Sequence, residues 1–283
     1  MTEKFSQNFE QKEYVENIIE SMPINEDLQK RYDEIDWNSF AYEGTRRDDL
    51  IPKLLEIADI KDDDKVLDAM CGTSNLLKES TKKYPNCDYF ALDFSIGQLK
   101  NIPLEINKIQ ASVIAMPFDD KSFNKIFIRS GLHDLPRKMQ RNALWEIQRI
   151  LKEDGIFILQ TFFTTFKNQL YYNNIVNRKD WAAGYYKHPK GLGSEEYPRH
   201  FATKEELEKW FDEVGFNYEF IEDFEGVITY LKTKEMHWGQ KEWKIYMDSL
   251  PENIKKEIQL RSEEGAEYVY NFPGVIYKIT KKR

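Results

Sequence analysis

At 283 residues with 41% hydrophobic composition, the chain can bury one sizeable core, and one elaborated domain is the simplest organisation. Its net charge of −8 argues against the clustered Lys and Arg excess that a sequence-independent grip on nucleic acid requires, so no nucleic-acid partner is expected. No run of about eighteen apolar residues is present, the start MTEKFSQNFE has no signal-peptide pattern, and the cysteines Cys71 and Cys87 suit reduced thiols; no membrane association and a cytoplasmic location are expected.

Residues 9 to 35 carry Phe9, Tyr14, Ile18 and Ile19, then Leu28, Tyr32 and Ile35, at helical spacing with a break at Pro23, which predicts an N-terminal helical cap over 1–43. The remaining domain, 44–283, opens on a helix bearing Leu50, Leu54, Leu55, Ile57 and Ala58 that stops at the acidic turn KDDDK. Strand-like runs then follow at 66–70 (VLDAM), 89–93 (YFALD), more weakly 109–114, 125–130 (KIFIRS) and 155–163 (GIFILQTFF). Helical stretches at 74–83, 95–101 and 136–151 separate them. Apolar strands alternating with amphipathic helices predict a doubly wound, mostly parallel sheet covered on both faces.

Thr203 with Glu206 opens a further helix in capping-box fashion, and Gly215 closes it. The strand FNYEFIE follows, and GVIYKIT (274–280) reads as a final edge strand, giving seven strands in all. Two inserted segments, about 162–202 and 224–272, interrupt this plan and are rich in aromatic residues; the second is expected to form helices over 241–247 and 252–262.

The chemistry concentrates in VLDAMCGTSNLL. A strand ends in Asp68 and passes through Gly72 into a helix capped near Thr73 or Ser74, where a residue without a Cβ lets backbone approach a ligand and unpaired N–H groups face it. Asp93 ends the next strand within DFSIGQL, a spacing that suits an acid bonded to a ribose hydroxyl pair. A dinucleotide fingerprint would need glycines at Met70, Gly72 and Asn75, and two are absent.

VLDAMCGTSN resembles the first motif of the class I S-adenosylmethionine-dependent methyltransferases, V-L-D-x-G-x-G-x-G, with Met70 and Ser74 standing at its first and third glycines. DFSIGQL, MPFDDKSFNKIFI and LKEDGIFIL are similar to later motifs of that family, in the same order. The resemblance implies a Rossmann-like fold and S-adenosyl-L-methionine as cofactor. It places the cofactor at Tyr42, Arg46, Asp68, Ala69, Met70, Cys71, Gly72, Asn75, Asp93, Phe94, Ser112, Val113, Met116, Arg129 and Ser130. Ser112, at the position of an adenine-contacting acid, reads equally well as a hydroxyl bonded to its own backbone.

SGLHDLP is similar to the family's L-H-H-V-P at the active-site rim, which makes His133 the candidate base, or else a tie between sheet and helix. Phe163, Tyr171, Tyr185, Tyr186 and His200 are the candidate walls of the acceptor pocket, a role that competes with plain packing of a helical cap. The expected activity is methylation of a small, aromatic or largely apolar organic acceptor, without a metal and in an oligomeric state left open. Modification of a macromolecule, or a silent cofactor-binding scaffold, are the alternatives.

Overall fold

The computed structural model describes residue 33 and residues 44–182, 199–231 and 238–283; the helices expected over 9–35, together with Tyr42, Tyr185 and Tyr186, lie outside them. Helix α1 (Ile51–Ala58) starts with Pro52 in its first turn, where no N–H is needed, and buries Ile51, Leu54, Leu55 and Ala58 along one stripe. The acidic turn after it delivers the chain to β1 (Lys65–Ala69).

Then come α2 (Asn75–Lys83), β2 (Asp88–Asp93), the single turn α3 (Ile96–Leu99), β3 (Asn107–Gln110), β4 (Phe123–Arg129), α4 (Arg137–Ile150) and β5 (Leu151–Phe162). The chain continues through α5 (Gln169–Ala182), α6 (Lys204–Val214), β6 (Phe216–Leu231), α7 (Trp238–Asp248), α8 (Glu252–Glu257), β7 (Arg261–Glu263) and β8 (Ala266–Lys281).

The sheet runs β3-β2-β1-β4-β5-β8-β6, with β1 to β5 parallel and β8 antiparallel to both of its neighbours. After β1 the chain moves outward to β2, and after β3 it returns to the other side of β1. The crevice at this reversal, beyond the carboxyl ends of β1 and β4, is where such a sheet holds a ligand.

Alternation along the strands divides the core. Val66, Phe127, Ile158 and Ile276 pack on one face with α1, α2, α5 and α7, whereas Leu67, Ile126, Phe157 and Tyr277 pack on the other with α4 and α6.

Several elements differ from the sequence expectation: the strand expected over 109–114 is Asn107–Gln110, and the helix expected over 95–101 is the single turn α3. GVIYKIT is an inner strand, and β6 is the edge; Val275, Ile276, Tyr277 and Ile279 are fully buried because both faces of β8 are covered. The helix expected over 252–262 stops at Glu257, since Arg261–Glu263 pairs with β8 as a short eighth strand. FNYEFIE is only the start of β6.

Because Phe162 at the end of β5 pairs with Gly274, the stretches 224–231 of β6 and 266–273 of β8 stand beyond the carboxyl ends of the parallel strands. Parts of the two inserted segments meet there. Trp243 is buried on α7 and donates its indole N–H to the Ile175 carbonyl of α5 at 2.9 Å, while Tyr172 stacks on Phe272 with centroids 4.6 Å apart.

Candidate active site

The loop after β1 is built around two buried carboxylates. Asp68 Oδ2 accepts from Ser74 Oγ at 2.8 Å, and its Oδ1 is buried without a hydrogen-bond partner. Burial raises this carboxyl to about 7, against the opposing pull of Ser74 and Arg129. On the neighbouring strand, Asp93 accepts from the backbone N–H of Gly72 and of Ser95, each at 2.9 Å, and burial raises it to about 6. Each Asp93 oxygen keeps lone-pair capacity for a further donor.

Between these acids the backbone enters the left-handed region at Met70 (φ 59°), Gly72 (φ 51°) and Ser74 (φ 49°). These are the three positions at which the related motif carries glycine, so the loop keeps the glycine conformation even where a Cβ is present. That geometry costs roughly 1–2 kcal/mol at a non-glycine residue. Met70→Gly trades this relief against lost packing and added chain entropy, and is expected to shift stability by less than about 1 kcal/mol. Met70→Val, β-branched in the same conformation, is expected to cost about 1–2 kcal/mol more. Thermal unfolding of the two variants measures the difference; equal midpoints would remove the strain argument.

A strap of residues 44–48 crosses the strand tips. The Thr45 carbonyl accepts from Ser130 Oγ at 3.3 Å and the Arg46 carbonyl from Arg129 Nη2 at 2.7 Å, while Arg47 lies 5.5 Å over the Phe224 ring. Asp48 gathers Arg129 (2.8 Å), Asn75 (2.9 Å) and Arg46 (3.1 Å). Burial opposes ionisation of Asp48, but the bonds from Arg129, Asn75 and Arg46 outweigh it and hold its carboxyl below the usual range. Arg46, expected at the cofactor, is thus paired with Asp48.

Residue 33 also reaches the site: Asp33 Oδ1 accepts from Ser95 Oγ at 2.5 Å and from the Gly97 N–H at 3.0 Å. Gly97 allows this approach, because a Cβ there would sit 2.2 Å from the Asp33 carbonyl oxygen.

By strand alternation, Asp68, Arg129 and Gln160 share one face at the ends of three adjacent strands, β1, β4 and β5. Gln160 Oε1 accepts from Arg129 Nε at 3.4 Å, and its Nε2 is buried without a partner. Asp48 and Gln160 were missed by sequence reasoning, because an acid in a DDL turn and a glutamine in a strand carry no pattern of their own.

His133 follows β4 on a 3₁₀ turn and is buried. Its Nδ1 lies 3.4 Å from Thr161 Oγ1 and its Nε2 3.5 Å from Asp134 Oδ1, with Phe162 and Phe201 rings at 5.1 and 5.0 Å. Burial lowers the imidazole to about 4, so it is neutral at ordinary pH. His200 is buried behind it, donating its backbone N–H to the His133 carbonyl at 3.1 Å, with its Nε2 3.5 Å from Glu206 Oε2. Burial works against ionisation of Glu206, but His200, the Thr203 N–H and Arg137 hold it down to about 2.

The other expected residues are dispersed. Ala69, Val113 and Met116 are buried in the core on the α4 side, and Ser112 Oγ accepts from the Ile114 N–H at 3.5 Å. Cys71 is half-buried, its thiol pushed up by burial, and the Phe94 carbonyl accepts from Gln110 at 3.2 Å. Phe163 packs with Ala202 and Leu207 beneath Lys204, whose Nζ is 4.5 Å from the ring centroid. Tyr171 packs, half-buried, against the core on the α5 side. Among the described residues, no helix is long and apolar enough to cross a membrane, and no group of three or more His, Cys, Asp or Glu could hold a metal ion.

The strand order, the reversal beside β1 and the loop between two strand-end acids define a methyltransferase fold, and residues 66–155 match the family described as methyltransferase domain. Residues 66–155 carry a methyltransferase domain, and the chain is an S-adenosylmethionine-dependent methyltransferase enzyme. Among curated proteins it is similar to the demethylmenaquinone methyltransferase of Staphylococcus aureus, 26% identical over 243 residues that cover 77% of this chain and 92% of the relative. A crystal structure of a putative methyltransferase from Bacillus halodurans superposes with a TM-score of 0.64 at 20% identity, covering 82% of this chain and 99% of that one. Geranyl diphosphate C-methyltransferase from Streptomyces coelicolor, solved with S-adenosyl-L-homocysteine, gives 0.53 at 12% identity, covering 93% and 86%.

Proposed function

We propose that the protein transfers a methyl group from S-adenosyl-L-methionine to a small, largely apolar or aromatic organic acceptor. The observation that carries this reading is the buried, unpartnered Oδ1 of Asp68 beside Asp93 on the adjacent strand, an arrangement that asks for a cationic or hydroxyl-bearing ligand. Asp93 would take the ribose hydroxyls, and Asp68, directly or through a water, the ammonium of the cofactor's amino-acid portion. The αL loop brings the Gly72 N–H to Asp93 and the Ser74 hydroxyl to Asp68.

The cofactor supplies an electrophilic sulfonium methyl group; the chain's own residues need only align the acceptor and exclude water. Phe162, Phe201, Phe224 and Phe272 stand with His133 around the tip of β5 and the overrunning hairpin, and supply apolar walls. His133, neutral at ordinary pH, has a lone pair to receive a proton from an acceptor hydroxyl or amine, directly or through Thr161 Oγ1. The names of the Staphylococcus and Streptomyces relatives, a quinone and an isoprenoid diphosphate methyltransferase, support an acceptor with a large apolar part.

We read the strap at 44–48, Asp33 and the described parts of the two inserted segments as one cover over this space. Hydrogen exchange with and without S-adenosylhomocysteine tests it: protection is expected to rise over 9–47 and 162–201, and identical exchange in both states would refute the cover. Incubating a metabolite extract with trideuteromethyl cofactor tests the acceptor class. A mass gain on an apolar small molecule is expected, and label found only in protein or nucleic acid would overturn the reading.

A further inference from the structure

The peptide groups of residues 199–201 are bonded mainly by side chains. Asn177 takes both sides of Arg199, with Oδ1 accepting its N–H at 3.1 Å and Nδ2 donating to its carbonyl at 2.8 Å. The His200 carbonyl accepts from Gln140 Nε2 at 2.6 Å, and Phe201 is bonded through its N–H to Asn173 Oδ1 at 2.8 Å and through its carbonyl to Gln169 Nε2 at 3.0 Å. Positions 169, 173 and 177 lie on one face of α5. A buried segment outside helix and sheet must satisfy its backbone in this way, which explains why α5 buries Asn173 and Asn177.

The side chain of Arg199, fixed at its backbone, joins two carboxylates. It forms an ion pair with Asp134 on the turn after β4, and its Nη1 lies 3.2 Å from Asp180 Oδ2 on α5. The same Asp134 oxygen is 3.5 Å from His133 Nε2. A guanidinium can hold carboxylates on two sides in a fixed plane, which a mobile ammonium does less well.

We infer that Arg199 is a positioning residue for His133: it anchors the Asp134 carboxylate against the Nε2 edge of the ring, so that the hydrogen resides on Nε2 and the Nδ1 lone pair is kept for proton transfer. This rests on the reading of His133 as the base. The returning end of the first inserted segment thereby sets the base. The charged groups acting on the ring are Asp134, which favours its protonation, and Arg199 and Lys179, which oppose it.

Nitrogen NMR of ¹⁵N-histidine-labelled, ligand-free protein reads both the tautomer and the titration of His133, without acceptor or turnover. The wild type should show a single Nε2–H tautomer. Arg199→Met is expected to give a mixed tautomer population and a pKa higher by about one unit or more, as the opposing cation is removed and the carboxylate remains. Arg199→Lys should reverse that rise in pKa at least in part, because the charge returns, whereas a role in folding alone would not track the charge. Asp134→Asn, which carries the test if Arg199→Met does not fold, should lower the pKa and release the tautomer. Unchanged tautomer and titration in Arg199→Met, or in Asp134→Asn where that variant stands in, would overturn the inference. Failure of the His133 base reading would show separately, as unimpaired turnover in His133→Ala.

Discussion

Asp93→Ala is expected to weaken S-adenosylhomocysteine binding by about 2–4 kcal/mol, roughly thirty-fold to a thousand-fold, because two hydrogen bonds to a charged acceptor are lost. The variant also releases the N–H groups of Gly72 and Ser95, which Asp93 holds at 2.9 Å, so part of the loss reflects a looser loop. Asp93→Asn, which keeps one acceptor oxygen, should fall between. Titration calorimetry decides the matter, and an affinity within threefold of the parent in Asp93→Ala would remove this residue from the site.

The pH dependence of binding follows from the same two acids. Asp93 is raised to about 6 and Asp68 to about 7 in the ligand-free fold, well above the ordinary carboxylate value. A ligand offering hydroxyl hydrogens and an ammonium favours their ionised forms, so affinity should climb as pH rises from 5 to 8 and then level. Stability runs the other way. Between the unfolded value near 3.8 and the folded values, the native state binds more protons than the unfolded chain, so the ligand-free protein loses stability as pH rises through this window. Asp68→Asn should therefore raise the ligand-free thermal midpoint near pH 8 while weakening ligand binding. A variant that loses both, or neither, would contradict this account of the pair.

His133→Ala is expected to lower turnover by a factor of roughly a hundred or more while leaving S-adenosylhomocysteine affinity unchanged. The imidazole sits beside Thr161, Phe162 and Phe201 at the tip of β5, whereas the proposed cofactor contacts lie on β1 and β2. With its pKa lowered to about 4, the ring is already neutral above pH 5, so the turnover profile should show no loss from His133 protonation between pH 5 and 8. Turnover within a few-fold of the parent would make alignment the whole of catalysis and His133 a structural tie.

Much of this was legible in the chain because it depends on local pattern. Apolar runs and helical spacings mark β1, β2, β4, β5, α2 and α4, and the Thr203 to Gly215 segment carries its own caps, as α6 confirms with a full capping box. Asp68 and Asp93 could be placed at strand ends because the hydrophobic runs stop there. Met70 and Ser74 could be aligned with glycines, but only backbone geometry shows that the left-handed turns survive the substitutions.

Tertiary structure decided the rest. GVIYKIT carries apolar residues on both faces, yet no local signal states that it enters between β5 and β6, because strand order is set by pairing between residues far apart in sequence. Nor does sequence show that Asp48 draws Arg46, Asn75 and Arg129 together, or that the asparagines of α5 grip residues 199–201. A polar helix reads as a solvated one, and its burial becomes intelligible only when the backbone groups it satisfies are brought against it. Sequence periodicity determined the elements and the cofactor loop; the partners of buried charge, which come from distant segments and are fixed by the cost of leaving polar groups unpaired, were decided only by the fold.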